Sequence, residues 1–118
     1  MKNYVNFSSI VGMTPKSIQC GDESLEIEMI DGSRYVMEHE QDCCESVRIE
    51  DITGDLTDLL GTPILVAEER VSEREDTSWG TSTWTFYELR NHVGSVTIRW
   101  FGESNGYYSE SVDFFKTN

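Results

Sequence analysis

The sequence predicts a single mainly β (α+β) domain over residues 1–118, with about seven mostly antiparallel strands and one short helix. Several segments alternate apolar and polar side chains with a period of two, which is typical of half-buried strands. Turn signals of the hairpin type, Asp31-Gly32 and Asn105-Gly106, separate such segments. At 118 residues the chain is long enough for one hydrophobic core. The strands are expected to form a sheet, a sandwich or a partly open barrel.

The first predicted hairpin spans residues 24–40, where side chains alternate on both sides of the Asp31-Gly32 signal. A two-residue loop would mix apolar and polar residues on each face. A three-residue loop beginning at Asp31 keeps the apolar residues together and is therefore predicted. It pairs Leu25 with His39 and places that histidine at the end of the buried face.

A short helix of about two turns is predicted where three leucines have helical spacing, at positions 56, 59 and 60. Asp55 is its predicted cap and Gly61 its stop. Residues 1–15 are weakly patterned, and residues 72–81 are predicted to form a long exposed loop. Further strands are predicted over residues 45–50, 64–70, 82–89, 95–103 and 107–114.

The last two predicted strands form a hairpin closed by Asn105-Gly106. A two-residue loop pairs Ser104 with Tyr107. Each face of this hairpin mixes aromatic and polar side chains, so it is either buried at one end or presents an amphipathic binding surface. Arg99 is expected to bond a carboxylate such as Asp42, Glu68 or Glu69.

The charge is strongly acidic, with 22 Asp and Glu against nine Lys and Arg and a net charge of −13. Residues 20–76 contain eighteen of the acids and four of the bases. This balance argues against direct binding to a nucleic-acid backbone. It suits a basic protein partner, a cation or simple solubility.

The chain has three cysteines, Cys20, Cys43 and Cys44, which do not form the pattern of a secreted disulfide framework. The N-terminal residues lack the apolar run of a signal peptide, and no apolar stretch has the length of a membrane span. The sequence therefore predicts a reducing, cytoplasmic location and no membrane association.

The segment from His39 to Glu45 has the highest density of reactive side chains in the chain. Adjacent cysteines rarely both ligate one zinc ion, so the spacing argues against a metal site. A catalytic thiolate needs a nearby cation, whereas the neighbouring acids would raise the pKa of Cys43 or Cys44. No cofactor and no catalytic residue is predicted. The free cysteines are interpreted as small buried apolar residues.

Ten polar and aromatic residues from two segments, 39–45 and 99–109, are the candidates for binding a ligand or a partner. They carry carboxylates, amides, an imidazole, a guanidinium and phenols that favour recognition of polar groups. The candidates are His39, Gln41, Asp42, Cys44, Glu45, Arg99, Glu103, Asn105, Tyr107 and Tyr108.

Six motifs carry a resemblance that covers nearly the whole chain. They are His-x-Gln-Asp-Cys-Cys-Glu (39–45), Ile-Glu-Asp-Ile (49–52), Gly-Asp-Leu-x-Asp-Leu (54–59), Pro-Ile-Leu-x-Ala-Glu-Glu (63–69), Thr-Trp-Thr-Phe-Tyr (83–87) and Arg-Trp-x-Gly-Glu-Ser-Asn-Gly-Tyr-Tyr-Ser-Glu (99–110). With these motifs the chain resembles a family of short acidic bacteriophage and prophage proteins that has no assigned function. The resemblance implies a viral or prophage origin and action in the cytoplasm of a bacterial host.

Two functional hypotheses follow. The first is a non-enzymatic protein that inhibits a host or anti-phage defence protein, such as a CRISPR-type nuclease, through an acidic surface that mimics nucleic acid. The alternative is a pocket between segments 39–45 and 99–109 that sequesters a small molecule or uses the cysteines or a metal. The alternative requires the two segments to meet around a cavity. A minor virion component is a third possibility, and the sequence indicates no oligomeric state.

Overall fold

A computed structural model describes residues 2–117 and contains ten strands and two short 3₁₀ helices. The 3₁₀ helices span Phe7–Ile10 and Leu56–Leu59. The strands are β1 (Asn3–Tyr4), β2 (Pro15–Cys20), β3 (Ser24–Met29), β4 (Arg34–Glu38), β5 (Glu45–Thr53), β6 (Val66–Val71), β7 (Glu75–Asp76), β8 (Thr81–Arg90), β9 (Ser95–Ser104) and β10 (Asp113–Lys116).

The strands form two antiparallel sheets, and neither closes into a barrel within residues 2–117. Sheet A has the order β1-β10-β4-β3-β2. Sheet B has the order β5-β9-β8-β6, and β7 also pairs with β8. The predicted mainly β, antiparallel class is confirmed, but the number of strands is ten rather than seven. The strands that were missed are β1 and β7, which have two residues each, and β2, whose polar residues hide the alternation.

The inner faces of the two sheets share one hydrophobic core. Trp100 of sheet B is fully buried, and its indole N–H donates to the sulfur of Met37 in sheet A at 3.1 Å. Phe7, from the first 3₁₀ helix, lies between the sheets with its ring 4.7 Å from Tyr87 and 5.0 Å from Phe114. Edge-to-face ring pairs of this kind stabilise a core beyond the area they bury.

The first predicted hairpin exists, but its register was wrong by two residues. Leu25 pairs with Met37 rather than with His39. The side chain of Asp31 accepts hydrogen bonds from the backbone N–H and the hydroxyl of Ser33, and Gly32 adopts a positive φ of 91°. This Asx turn makes the loop start one residue earlier than predicted. A shift of two residues keeps the same face buried, so the apolar pairing survived the error.

The predicted helix is a single 3₁₀ turn rather than two α-helical turns. Asp55 caps it as predicted, since its carboxylate accepts from the backbone N–H of Thr57 at 3.0 Å. Gly61 follows with a positive φ of 82°. Within residues 2–117 no helix is both long enough and apolar enough to cross a lipid bilayer.

The predicted final hairpin was wrong. In sheet B, β9 is already paired with β5 on one side and β8 on the other, so no edge remains for residues 107–112. The Asn105-Gly106 turn instead sends the chain to sheet A, where β10 pairs with β4 and Phe114 lies opposite Met37.

Candidate functional site

The chain crosses between the two sheets twice at one end of the molecule. Crossover 1 (residues 39–44) leads from β4 to β5, and crossover 2 (residues 105–112) leads from β9 to β10. The two segments lie side by side, because the ring Nδ1 of His39 bonds the backbone carbonyl of Ser111 at 2.6 Å. The first candidate segment, 39–45, therefore meets crossover 2 at Ser111, two residues beyond the second candidate segment, 99–109.

Crossover 1 is held by the buried carboxylate of Glu45, the first residue of β5. This carboxylate accepts from the ring Nε2 of His39 at 3.1 Å and from the amide of Gln41 at 3.0 Å. It also accepts from the backbone N–H groups of Cys43 at 2.8 Å and Asp42 at 3.3 Å. Four donors thus surround one carboxylate, which satisfies its acceptor capacity.

The same contacts set the charge state of Glu45. Burial of its side chain would raise the pKa, but the hydrogen bonds from His39 and from the backbone of Cys43 and Asp42 outweigh burial and lower the pKa of Glu45. The two ring nitrogens of His39 bond the carbonyl of Ser111 and the carboxylate of Glu45. His39 therefore connects the carboxylate that holds crossover 1 to the backbone of crossover 2.

Crossover 2 is held by a second buried carboxylate, Glu110. Arg74 donates to both of its oxygens, from Nε at 3.3 Å and from Nη2 at 3.1 Å. The hydroxyls of Thr81, Thr83 and Ser104 donate at 2.6 Å, 2.7 Å and 2.5 Å. The carboxylate side chain is only 2% exposed, while that of Arg74 is 45% exposed. Charge-assisted bonds of this bidentate kind are among the strongest in proteins.

Burial would raise the pKa of Glu110, but the hydrogen bonds from Arg74, Ser104, Thr81 and Thr83 lower it from 4.5 to about 2. A depressed folded-state pKa contributes stability that is complete above about pH 4.5 and is lost as the pH falls towards 2.

We expect a Glu110→Gln variant to be less stable than wild type at pH 6 and to lose less stability than wild type between pH 4.5 and pH 2.5. The reason is that glutamine has no proton to gain in that range, while the other carboxylates titrate alike in both proteins. Urea unfolding at several pH values measures the difference. Parallel pH curves for the two proteins would contradict this assignment.

A small open cleft of about 320 Å³ lies beside crossover 1. Two of its lining groups, Gln41 and Glu45, already bond each other. The remaining side chains put further carboxylates at its rim, so the cleft favours a cation over an anion. The lining residues are Glu40, Gln41, Asp42, Glu45 and Ser109.

A family model for a domain of unknown function, DUF7448, matches residues 8–114 of this sequence. The chain belongs to the DUF7448 family. No curated protein and no solved structure matches the sequence. This family has no assigned function. The matched residues include both crossovers and the two carboxylates that hold them.

In this DUF7448 chain, Arg99 lies apart from the crossovers. It is five residues from Ser104 along β9, a distance of about 17 Å in a strand. The expected bond to Asp42, Glu68 or Glu69 is replaced by a 2.7 Å ion pair with Asp51. The bulge in β5 between Ile49 and Asp51 brings that carboxylate opposite Arg99.

The other candidates on β9 and crossover 2 have separate environments. Glu103 lies on the outer face of sheet B, 3.9 Å from Arg48. Asn105 caps its own turn by accepting from the backbone N–H of Tyr107, whose side chain is 90% exposed. Tyr108 contributes its carbonyl to Arg74. None of these four residues lines the cleft beside crossover 1.

All three cysteines of the DUF7448 chain are exposed, which corrects the interpretation that they are buried apolar residues. Cys43 and Cys44 lie in a bend of crossover 1 rather than on a strand, and their sulfurs are joined as a disulfide between adjacent residues. Cys20 is a free thiol, and its pKa is raised by partial burial and by the nearby Asp22 carboxylate. Within residues 2–117 no group of three or more His, Cys, Asp and Glu side chains is placed to hold a metal ion.

The cluster around Glu110 was not predicted. One signal was available: Thr81, Thr83 and Thr85 alternate along one face of β8, where an apolar strand would carry aliphatic residues. Polar side chains on a buried face need partners. The partner Glu110 is 27 residues from Thr83 in sequence, and Arg74 comes from the segment that was predicted to be a long exposed loop.

Proposed function

We propose that this chain is a non-enzymatic binding protein that occupies the basic surface of a nucleic-acid-binding protein. The observation that carries the proposal is a row of exposed carboxylates along one edge of sheet B, called here the acidic edge. The acidic edge consists of residues on β6, on β7 and between them: Glu68, Glu69, Glu73, Glu75 and Asp76.

The spacing of the acidic edge follows from strand pairing. Glu68 lies opposite Glu88 and Asp76 lies opposite Thr81, so the edge extends over eight residues of β8, which are seven residue spacings. At about 3.4 Å per residue this is roughly 24 Å. Five carboxylates over that length give about one negative charge per 6 Å, roughly half the linear density of one DNA strand. A groove shaped for a phosphate backbone would meet a comparable line of charge.

The remaining acids support the same mode of action. Of the carboxylates in residues 2–117, Glu45 and Glu110 are buried and used internally, whereas most others reach solvent. The net charge of −13 therefore produces a field outside the protein that steers it towards basic clefts. The two arginines within the acidic edge do not cancel it, because Arg74 is bound to Glu110 and Arg70 offsets only one of the five carboxylates.

The proposed partner is a bacterial host protein or an anti-phage defence protein, such as a CRISPR-type nuclease. The resemblance of the chain to short acidic phage and prophage proteins supports this choice. A protein made by a phage benefits from blocking an enzyme that must bind nucleic acid, and an acidic decoy does so without catalysis.

We expect wild-type protein immobilised on beads to capture basic nucleic-acid-binding proteins from bacterial lysate, with duplex DNA as a competitor. Capture should fall at least tenfold between 50 and 300 mM salt, because screening weakens exposed charge pairs. The edge variant E68Q/E69Q/E73Q/E75Q/D76N should lose capture. Quantitative mass spectrometry of the eluates measures each condition.

The matched control, D22N/E23Q/E40Q/D42N/D58N, removes five exposed carboxylates elsewhere and has the same net charge as the edge variant. It should retain most of the capture. An equal loss of capture in both variants would show that the net charge, and not the acidic edge, accounts for binding. Capture that does not change with competing DNA or with salt concentration would refute nucleic-acid mimicry.

A further inference from the structure

The outer face of sheet B differs from the rest of this acidic molecule. Alternate residues on its strands point away from the core, and six of them are arginines or aromatic residues at the centre of the face. They are Arg48, Arg70, Trp84, Phe86, Arg99 and Phe101. Three of the chain's nine basic residues are therefore gathered on one solvent-facing surface.

These side chains pack on one another. The guanidinium of Arg99 lies 4.9 Å from the ring centre of Trp84, and that of Arg48 lies 5.5 Å from Phe101. The rings of Trp84 and Phe101 are 4.6 Å apart. Stacking fixes the side chains in place before any partner arrives, which lowers the entropy cost of binding. Tryptophan and arginine are also the residues most enriched at the energetic centres of protein interfaces.

The face does not carry the excess positive charge that a phosphate backbone needs. Arg99 is 2.7 Å from Asp51, and Arg48 is 3.4 Å from Glu50 and 3.9 Å from Glu103. The positive charges are thus largely balanced by carboxylates on the same surface. A partner with a mixed and balanced charge pattern fits this face better than a nucleic acid.

One row across the face is self-complementary. Strand pairing places Asp51, Arg99, Phe86 and Arg70 side by side on β5, β9, β8 and β6. We infer that this face binds the same face of a second copy of the chain, with a two-fold axis parallel to the strands between β8 and β9. Rotation about this axis places the row of one copy opposite the same row of the other copy, in reverse order. Asp51 of each copy then meets Arg70 of the other, and Arg99 meets Phe86.

The unequal use of the arginines supports this arrangement. Within residues 2–117 Arg70 has a ring contact with Phe86 at 5.6 Å and no ion pair. It is the arginine that gains a carboxylate in the dimer. The next row repeats the pattern. Phe101 and Trp84 are paired neighbours on β9 and β8, so Phe101 of each copy would face Trp84 of the other.

The size of the face sets the expected affinity. Strands β8 and β9 present about five outward residues each, β5 about four and β6 about three. At about 4.8 by 6.8 Å per outward residue, the face covers roughly 500–600 Å² per copy. A total of about 1,000–1,200 Å² is at the lower limit for a specific interface. Interfaces of this size are typical of weak association, and we expect a dissociation constant in the micromolar range. This inference rests on the outer face and not on the acidic edge, so either proposal can fail alone.

Sedimentation velocity of the full chain from 1 to 200 µM tests the dimer. We expect a concentration-dependent shift from the 13.5 kDa monomer to the dimer. Raising salt from 50 to 300 mM should strengthen it, because two copies of net charge −13 repel each other. This salt dependence is opposite to that expected for partner capture, which separates the two proposals.

A charge exchange tests the geometry. R70E and D51K should each weaken the dimer at least tenfold, since each places like charges together at two symmetric positions. An equimolar mixture of R70E and D51K should form a dimer at least tenfold tighter than that of either variant alone, because both cross-axis pairs are then complementary. The controls K16E, on β2 of sheet A, and E40K, in crossover 1, change exposed charges away from the face and should leave the dimer unchanged. Circular dichroism verifies that every variant is folded.

Three results would overturn the inference. They are a wild-type monomer at 200 µM in 300 mM salt, a dimer that tolerates both single variants, and a mixture of the two variants that stays monomeric. A monomer whose tryptophan fluorescence is quenched by oligothymidine would assign the face to single-stranded nucleic acid instead.

Discussion

Replacing Glu110 with alanine should lower the free energy of unfolding by about 3–5 kcal/mol, the usual cost of removing one partner of a buried charged pair. The carboxylate is the common acceptor for Arg74, Thr81, Thr83 and Ser104. Its removal leaves buried hydroxyls on sheet B without their acceptor and frees crossover 2 from the sheet. Urea unfolding near pH 7, followed by circular dichroism, measures the loss.

Two companion variants separate charge from shape. Glu110→Gln keeps one acceptor oxygen but replaces the other with an amide N–H₂, which cannot accept from the donors that faced that oxygen. The free energy of unfolding should therefore fall by about 2–3 kcal/mol. Arg74→Gln should cost only about 1 kcal/mol, because the guanidinium is 45% exposed and solvent replaces part of its bonding. A loss below about 1 kcal/mol for Glu110→Ala would show that crossover 2 is held by apolar packing, such as Val112, rather than by Glu110.

Much of the fold could be predicted because strand periodicity is a local property. The alternation of Leu25, Ile27 and Met37 with polar residues predicted a buried face. A register error of two residues left that face intact. Strand order is not local. Nothing in residues 104–107 shows that β9 already has two neighbours, so the strong Asn105-Gly106 signal predicted a hairpin where the chain changes sheets.

The candidate site divides in the same way. His39, Gln41 and Glu45 lie within one short segment, and the structure shows them bonded to one another. Glu110 and Arg74 were missed because their partnership depends on a contact across 36 residues. The outer face of sheet B was visible only in part. The mixture of arginine and aromatic residues suggested a binding surface, but the row from Asp51 to Arg70 needs the pairing of all four strands.

Gly102→Ala should destabilise the protein by about 2–3 kcal/mol by forcing crossover 2 away from sheet B. A β-carbon at position 102 would lie 2.8 Å from the carbonyl oxygen of Glu110 and 2.9 Å from its β-carbon. It would also lie 3.2 Å from a methyl group of Val47. Because these neighbours are backbone and buried side chain, the methyl group has no free space, and crossover 2 must move outward.

The expected movement of crossover 2 can be tested by combining G102A with E110A. If crossover 2 shifts, the bonds from Thr83 and Ser104 to Glu110 lengthen, so G102A already removes part of what E110A removes. The double variant G102A/E110A should then be more stable than the sum of the two losses predicts, by at least about 1 kcal/mol. Urea unfolding of all four proteins completes the cycle. Strict additivity would mean that the strain at Gly102 is relieved without disturbing the carboxylate.

Gly21→Ala is the matched control for this cycle. Its β-carbon would meet only the carbonyl of Ser24, at the ordinary contact distance of 3.8 Å. A change of less than about 0.5 kcal/mol is expected there, as for most exposed positions. The two glycines differ in the space around their α-carbons. One is replaceable because its turn has room, and the other must lack a side chain so that Glu110 can reach the hydroxyls on sheet B and hold the second crossover against it.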